Sequence, residues 1–126
     1  GYLGIELDDI IIIKTDENNI SMIFINIDKQ HFKVKKNMIE ISSPFKKNKF
    51  FSPEIKNISE IPFKTNYQVN IFYSLAKVIC YCINKIDKDN HEDFKKDLDI
   101  ILETKLYWGL LRCLKDEPEN RYYLLI

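Results

Sequence analysis

A mainly α chain with a small N-terminal β region, an α+β arrangement built around one central buried helix, is the fold the sequence predicts. Two observations carry it. The first third holds β-branched apolar runs separated by polar turn clusters. From Phe50 onward the apolar residues fall at helical spacing, and Tyr67 to Lys85 is apolar nearly all round. A helix without a polar face is buried on every side, so this stretch predicts a central post. At 126 residues the chain reads as one domain (residues 1–126), with a β region at 1–49 and a helical part at 50–126.

The elements run in order along the chain. Ile10 to Ile13 is a β-branched run and Ile20 to Ile27 a second, joined by Lys14 to Asn19, which has hairpin-loop composition. His31 to Val34 and Met38 to Ile41 are a third and fourth strand, turned at Lys35-Lys36-Asn37. Ser42 to Lys49 reads as a polar loop. Ser52 is a suitable N-cap with Pro53 at the first helical position. Ile58 to Asn66, which contains Pro62, reads as a loop. After the central helix, Ile86 to Asn90 is a charged turn, and Asn90 caps the next helix. Phe94, Leu98, Ile101, Leu102, Leu106, Leu110, Cys113 and Leu114 form an amphipathic stripe. Gly109 divides or kinks that stretch, or permits a close contact. Pro118 opens a final helix running to Ile126.

Composition narrows the function. Apolar residues make up 45% and charged residues 30%, which fits a soluble globular protein. The formal net charge is zero, so no concentrated field for nucleic acid or an anionic membrane is expected. Lys46-Lys47-Asn48-Lys49 is basic but short, and reads as a solvated loop. The longest mostly apolar run, Ile71 to Ile83, is too short to span a bilayer. Cys80, Cys82 and Cys113 are an odd number of cysteines without a secretory signal, which argues for buried, reduced thiols rather than disulfides. His31 and His91 lack zinc-ligand spacing. No Ser-His-Asp or Cys-His pairing is supported by spacing. Tyr67, Phe72, Tyr73, Tyr107, Trp108, Tyr122 and Tyr123 sit at helical spacing and read as core rather than a base-stacking surface. The Ile, Lys and Asn bias suggests an AT-rich genome. A first residue of glycine suggests a fragment or a processed piece.

Three landmarks carry more. Ser52-Pro53-Glu54 resembles the A-P-E motif that closes the activation segment of eukaryotic-type protein kinases. Phe72-Tyr73-Ser74-Leu75-Ala76 resembles the family's D-x-W-S-L-G pattern. Cys113-Leu114 followed by Asp116 to Arg121 resembles its late D-P-x-x-R pattern. The order and spacing are similar too, so the chain resembles a degenerate C-terminal lobe of a Ser/Thr protein kinase-like domain. The resemblance implies a buried structural pair between Glu54 and Arg121.

It also implies where catalysis would sit. The family's catalytic loop, H-R-D-L-x-x-x-N, aligns with Tyr2 to Asp9. The catalytic base position then holds Gly4, which cannot accept a proton, and the usual lysine becomes Glu6. Asp9 takes the metal-binding asparagine position, and Asn26 the D-F-G aspartate position, with Asp28 in place of the glycine. Asp9 and Asn26 are thus the metal candidates, although the plainer reading makes Glu6, Asp8 and Asp9 a solvated turn. Ile71 stands where a bracing aspartate is usual, with Asn70 one residue away. The resemblance implies a pseudokinase acting as a binding or scaffold module. The alternative is a fragment of a divergent active kinase that transfers the ATP γ-phosphate to protein. A third reading is an unrelated structural protein of a large DNA virus. No cofactor is expected for this chain alone; ATP and magnesium belong to a longer active parent. The expected partner is a protein, or an N-terminal lobe of the same protein, with no nucleic acid and no membrane. The expected location is the cytoplasm, or a host cytoplasm or virion for a viral source.

Overall fold

The structure is a computed structural model that describes residues 1–25, 32–85 and 91–122. Strands β1 (Ile10–Lys14) and β2 (Ile20–Phe24) form an antiparallel hairpin, with Ile10 opposite Phe24 and Lys14 opposite Ile20. Its loop is tied by Asp16. That carboxylate accepts from the Asn19 side chain at 2.7 Å and from the Asn18 and Asn19 backbone N–H groups at 3.0 and 2.9 Å. These bonds, the Asn19 side chain first, hold the Asp16 carboxyl below its usual range.

A second sheet has the order β3 (Val34–Lys35), β4 (Met38–Ile41), β5 (Phe63–Asn66), all antiparallel. Lys36 and Asn37 join β3 to β4 with φ of 52° and 62°. Two left-handed residues in succession match the right-handed twist of the flanking strands. Along β4, Ile39 and Ile41 are buried while Met38 and Glu40 face solvent. The loop expected over Ile58 to Asn66 is therefore half strand. Phe63 and Thr65 pair with Ile41 and Ile39, which completes the buried face of β4. The strand expected from His31 reduces to Val34–Lys35; His31 lies outside the described residues.

The described residues hold four α-helices: α1 (Pro53–Lys56), α2 (Tyr67–Asn84), α3 (His91–Asp97) and α4 (Lys105–Cys113). Asn66 caps α2 by accepting from the Gln68 N–H at 3.0 Å, and Thr104 caps α4 by accepting from the Tyr107 N–H at 3.1 Å. Each cap satisfies one of the orphan donors of a first turn. α2 ends at Lys85 in the left-handed conformation. The charged turn and the Asn90 cap fall outside the described residues. Gly109 does not divide the last helical stretch. The break lies upstream, at a 3-10 turn over Asp99–Ile101 and a left-handed Glu103, and Gly109 sits inside α4. Of the expected final helix, the described residues show a 3-10 turn, Pro118–Asn120, followed by non-helical Arg121 and Tyr122; residues 123–126 lie outside the described residues.

These findings correct the expected fold class. Among the described residues there is about 41% helix and 18% strand, in two small antiparallel sheets and four helices. The fold is an α+β mix, not mainly α, and it is not clearly a protein kinase-like C-lobe. The physical reasons are specific. A sheet strand is inserted at Phe63, inside the half expected to be helical. The helices after α2 are short, because Leu98 to Thr104 turns away from helical backbone.

α2 contributes to both hydrophobic clusters. Tyr73, Ala76 and Cys80 pack with Phe94, Leu98, Leu110 and Leu114. Tyr67 covers the second cluster, where Leu3, Ile39, Ile41, Phe51 and Ile55 meet. The helix is buried over most of its length but not on every side. Gln68, Cys82 and Asn84 are exposed, and its buried residues include Asn70, Ser74 and Lys77.

The thiols divide accordingly. Cys80 and Cys113 are buried, whereas Cys82 is exposed, contrary to the expectation for all three. Desolvation pushes the Cys80 thiol up to about 12, against a smaller opposing pull from Lys77, and pushes Cys113 up to about 11. One thiol per chain is expected to react with a thiol-titrating reagent in the native state, and three after denaturation; three fast native reactions would contradict the packing. The pH dependence has a definite sign. A thiol whose folded pKa is raised favours the folded state while the unfolded thiol is still protonated. Stability is therefore expected to fall as pH rises from near 9 toward 12. Thermal melts of Cys80→Ala against the parent across that window should show a shallower decline for the variant.

Candidate functional site

The expected structural pair is in place. Arg121 donates through Nη1 to Glu54 Oε1 at 2.5 Å and through Nη2 to Glu54 Oε2 at 3.0 Å, a two-pronged contact. Its Nε donates to the Lys115 carbonyl at 2.6 Å, and Nη2 donates also to the Asp116 carbonyl at 2.8 Å. The guanidinium lies 4.7 Å from the centroid of the Tyr73 ring. One planar cation thus joins α1, α2 and the turn after α4. The Arg121 side chain is fully buried and that of Glu54 is 17% exposed. A guanidinium suits this place because its donors lie in one rigid fork that matches carboxylate geometry and can stack on a ring.

α2 carries a second set of polar contacts. Asn70, Ser74 and Lys77 are spaced four and three residues apart, so they line one face of the helix. All three are buried. The Asn70 Nδ2 donates to Thr65 Oγ1 at 3.1 Å, and Ser52 Oγ donates to Asn70 Oδ1 at 3.4 Å. Ser74 Oγ accepts from the Ile5 N–H at 2.7 Å and donates to the Ile5 carbonyl at 2.8 Å. Lys77 Nζ donates to the Lys49 carbonyl at 2.8 Å. Each contact satisfies main-chain or side-chain groups that packing removes from water.

The segment before β1 is held by this stripe. Ser74 braces it, so neither Ile71 nor Asn70 does; Asn70 instead serves the start of α1 and the end of β5. Gly4 is buried, and a Cβ built there would stand 2.6 Å from Phe51 Cδ1 and 2.8 Å from Ser74 Oγ. The position is glycine because Phe51 and Ser74 fill the space a side chain would need. An aspartate has no room at the place the kinase resemblance gives to the catalytic base.

Asp9 is fully buried, so the solvated-turn reading fails for it, while Asp8 is exposed. The Asp9 carboxylate accepts from the Glu6 N–H at 2.9 Å, and its backbone carbonyl accepts from the Ile25 N–H at 2.9 Å. Asp9 therefore closes the 3-10 turn Leu7–Asp9 and links it to the end of β2. Asn26, the other metal candidate, lies outside the described residues. Among the described residues, no group of three or more His, Cys, Asp or Glu side chains is placed to hold a metal ion. A crevice between α2 and α4, lined by Phe72, Ile79, Leu106 and Gly109 among others, has a volume of about 20 Å³. That is roughly the space of one water rather than of a ligand.

Sequence reasoning missed the bracing role of Ser74 and the burial of Lys77. The available signal was a hydroxyl and an ammonium within an otherwise apolar helix. It also placed Trp108 and Tyr122 in the core, whereas they are 51% and 52% exposed. No helix among the described residues is long and apolar enough to cross a membrane.

Two substitutions probe these contacts through stability. Removing the Arg121 side chain strands Glu54 and opens a void beside Tyr73. Arg121→Ala is expected to cost about 3–5 kcal/mol, the range for breaking a buried pair. Arg112→Ala, at a partly buried position, should cost clearly less; equal small shifts in thermal melts would contradict the clasp. Gly4→Asp is expected to destabilise by at least about 1–3 kcal/mol through overpacking. Unchanged stability in denaturant titration would show that Phe51 and Ser74 do not enforce the glycine.

In comparisons with known proteins, no family model matches the chain, and neither a curated protein nor a solved structure matches it.

Proposed function

We propose that this chain is a protein-binding or scaffold module without phosphotransfer chemistry of its own, and that its kinase-like motifs mark a degenerate relationship to that family. The observation that carries the binding reading is the β1–β2 hairpin. Ile12, Ile20 and Met22 are 68%, 67% and 71% exposed, and Ile11, Ile13 and Ile23 are also exposed. By strand alternation Ile12 and Met22 share one face, and Ile11 and Ile23 share the other. Strands apolar on both faces normally lie between two layers, and a lone two-stranded hairpin is marginal in water. Covering by a protein surface, either a separate partner or an upstream lobe of the same protein, accounts for both faces. The packing of Gly4 against Phe51 supports the non-catalytic half of the reading, since phosphoryl transfer depends on positioned groups at such a loop.

Two measurements test the proposal. Radiolabelled ATP transfer to generic protein substrates, with magnesium or manganese, is expected to show no turnover by this chain or by a longer form. Turnover by the longer form, abolished by Asp9→Ala or Asn26→Ala, would overturn the reading and install those residues as metal ligands. Affinity capture with the longest available form should recover a protein partner, or a crosslink to the upstream part of the same protein. That contact should fall at least about tenfold in the Ile12→Lys/Met22→Lys variant. Both side chains are exposed, so the variant should fold with a stability change within about 1 kcal/mol. Capture unaffected by the double substitution would remove the hairpin from the binding account.

A further inference from the structure

We propose that the solvent face of the β3–β4–β5 sheet binds an extended acidic protein segment. This surface is made of different residues from the β1–β2 hairpin and goes beyond the reading above. The chain is neutral overall, yet residues 32–49 carry six lysines and a single acidic residue, Glu40. Lys33 and Lys35 from that stretch, with Lys64 of β5, border a hollow of about 470 Å³ that Met38, Ile39 and Glu40 also line.

The geometry selects the partner. Strand alternation turns Ile39 and Ile41 inward, which leaves Met38 and Glu40 on the outer face. Glu40 is engaged by Lys64 at 3.4 Å. The remaining positive charge of the hollow comes from Lys33 and Lys35, two residues apart, as successive same-face positions of a strand are. β3 ends the strand order of its sheet, and Gly1 flanks that side: the Phe32 carbonyl accepts from the Gly1 amino group and the Phe32 N–H donates to the Gly1 carbonyl, so the hollow is approached from the outer face. A segment lying across this face in extended form turns alternate side chains to one side, where they meet the lysines. Acidic residues at every second position therefore match the site. A nucleic-acid strand fits less well. No aromatic residue lines the hollow to stack a base, and Glu40 opposes a continuous run of phosphates.

Fluorescence anisotropy with labelled peptides tests this directly. The probes are a peptide with glutamate at alternate positions, the same peptide with glutamine in those places, and a single-stranded oligonucleotide of equal charge. The acidic peptide is expected to bind and to weaken at least about fivefold between low and high salt, as screening of an exposed site requires. Lys33→Glu/Lys35→Glu should weaken it at least about tenfold, and Lys96→Glu, on exposed α3 surface, should leave it unchanged. All three substituted positions are exposed, and matching thermal melts confirm that the variants fold. Equal binding of the glutamine peptide, equal or tighter binding of the oligonucleotide, no binding of the acidic peptide, or indifference to the double reversal would each overturn the proposal. Because the Ile12→Lys/Met22→Lys variant keeps this surface, it should bind the acidic peptide as the parent does. Failure here is thereby separated from failure of the hairpin reading.

Discussion

Arg121 sits where three parts of the chain that are distant in sequence have to meet. Its guanidinium takes both oxygens of Glu54 from α1, two carbonyls from the turn after α4, and the face of Tyr73 on α2. Two of the parts that meet on α2 are short. α1 has four residues, and the final 3-10 turn has three. The contact between them is consequently carried by one charged group with fixed geometry, placed at full burial. The exposed pair Lys64–Glu40 illustrates the contrast. Its partners are 71% and 51% exposed, and such pairs contribute roughly 0–1 kcal/mol.

The polar face of α2 does for the loops what Arg121 does for the helices. Loops that run beneath the surface must find partners for their main-chain groups. Asn70, Ser74 and Lys77 supply them to the start of α1, the segment at Ile5 and the end of the Ser42–Lys49 loop. A wholly apolar helix would have packed well and left those groups unsatisfied. The arrangement also bears on function. The segment at Gly4 is held firmly, but by a hydroxyl and an aromatic ring that leave no space for a side chain. What the fold presents outward instead is an apolar hairpin and a lysine-bordered sheet face.

Much of this was legible in the residues, and what was not has identifiable causes. The isoleucine runs of β1 and β2, the Asn37 turn and the apolar stretch of α2 announce themselves through strong local preference. The Glu54–Arg121 pair could be anticipated only from motif order, because 67 positions separate the two residues. β5 was invisible because Phe63–Asn66 has weak strand character and follows a proline; it forms because β4 has a buried face to complete. Gly109, whose residue type suits a division, a kink or a close contact, sits buried inside α4, and the break lies upstream at Asp99–Ile101 and Glu103. The exposure of the hairpin ran against its composition. Hydrophobic pattern reports what a segment tends to bury and does not say whether the covering surface belongs to the same chain. The steric reason for Gly4 depended on Phe51 and Ser74, which only the folded chain brings beside it.

Glu54 and Arg121 are expected to be energetically coupled across the fold. A double-mutant cycle built from Glu54→Gln, Arg121→Met and the combination, read by denaturant unfolding, isolates that coupling. A coupling energy of at least about 1.5 kcal/mol is expected, with the double variant less destabilised than the sum of the two single variants. Strict additivity would mean that the clasp is a geometric contact without energetic consequence, and would contradict the account.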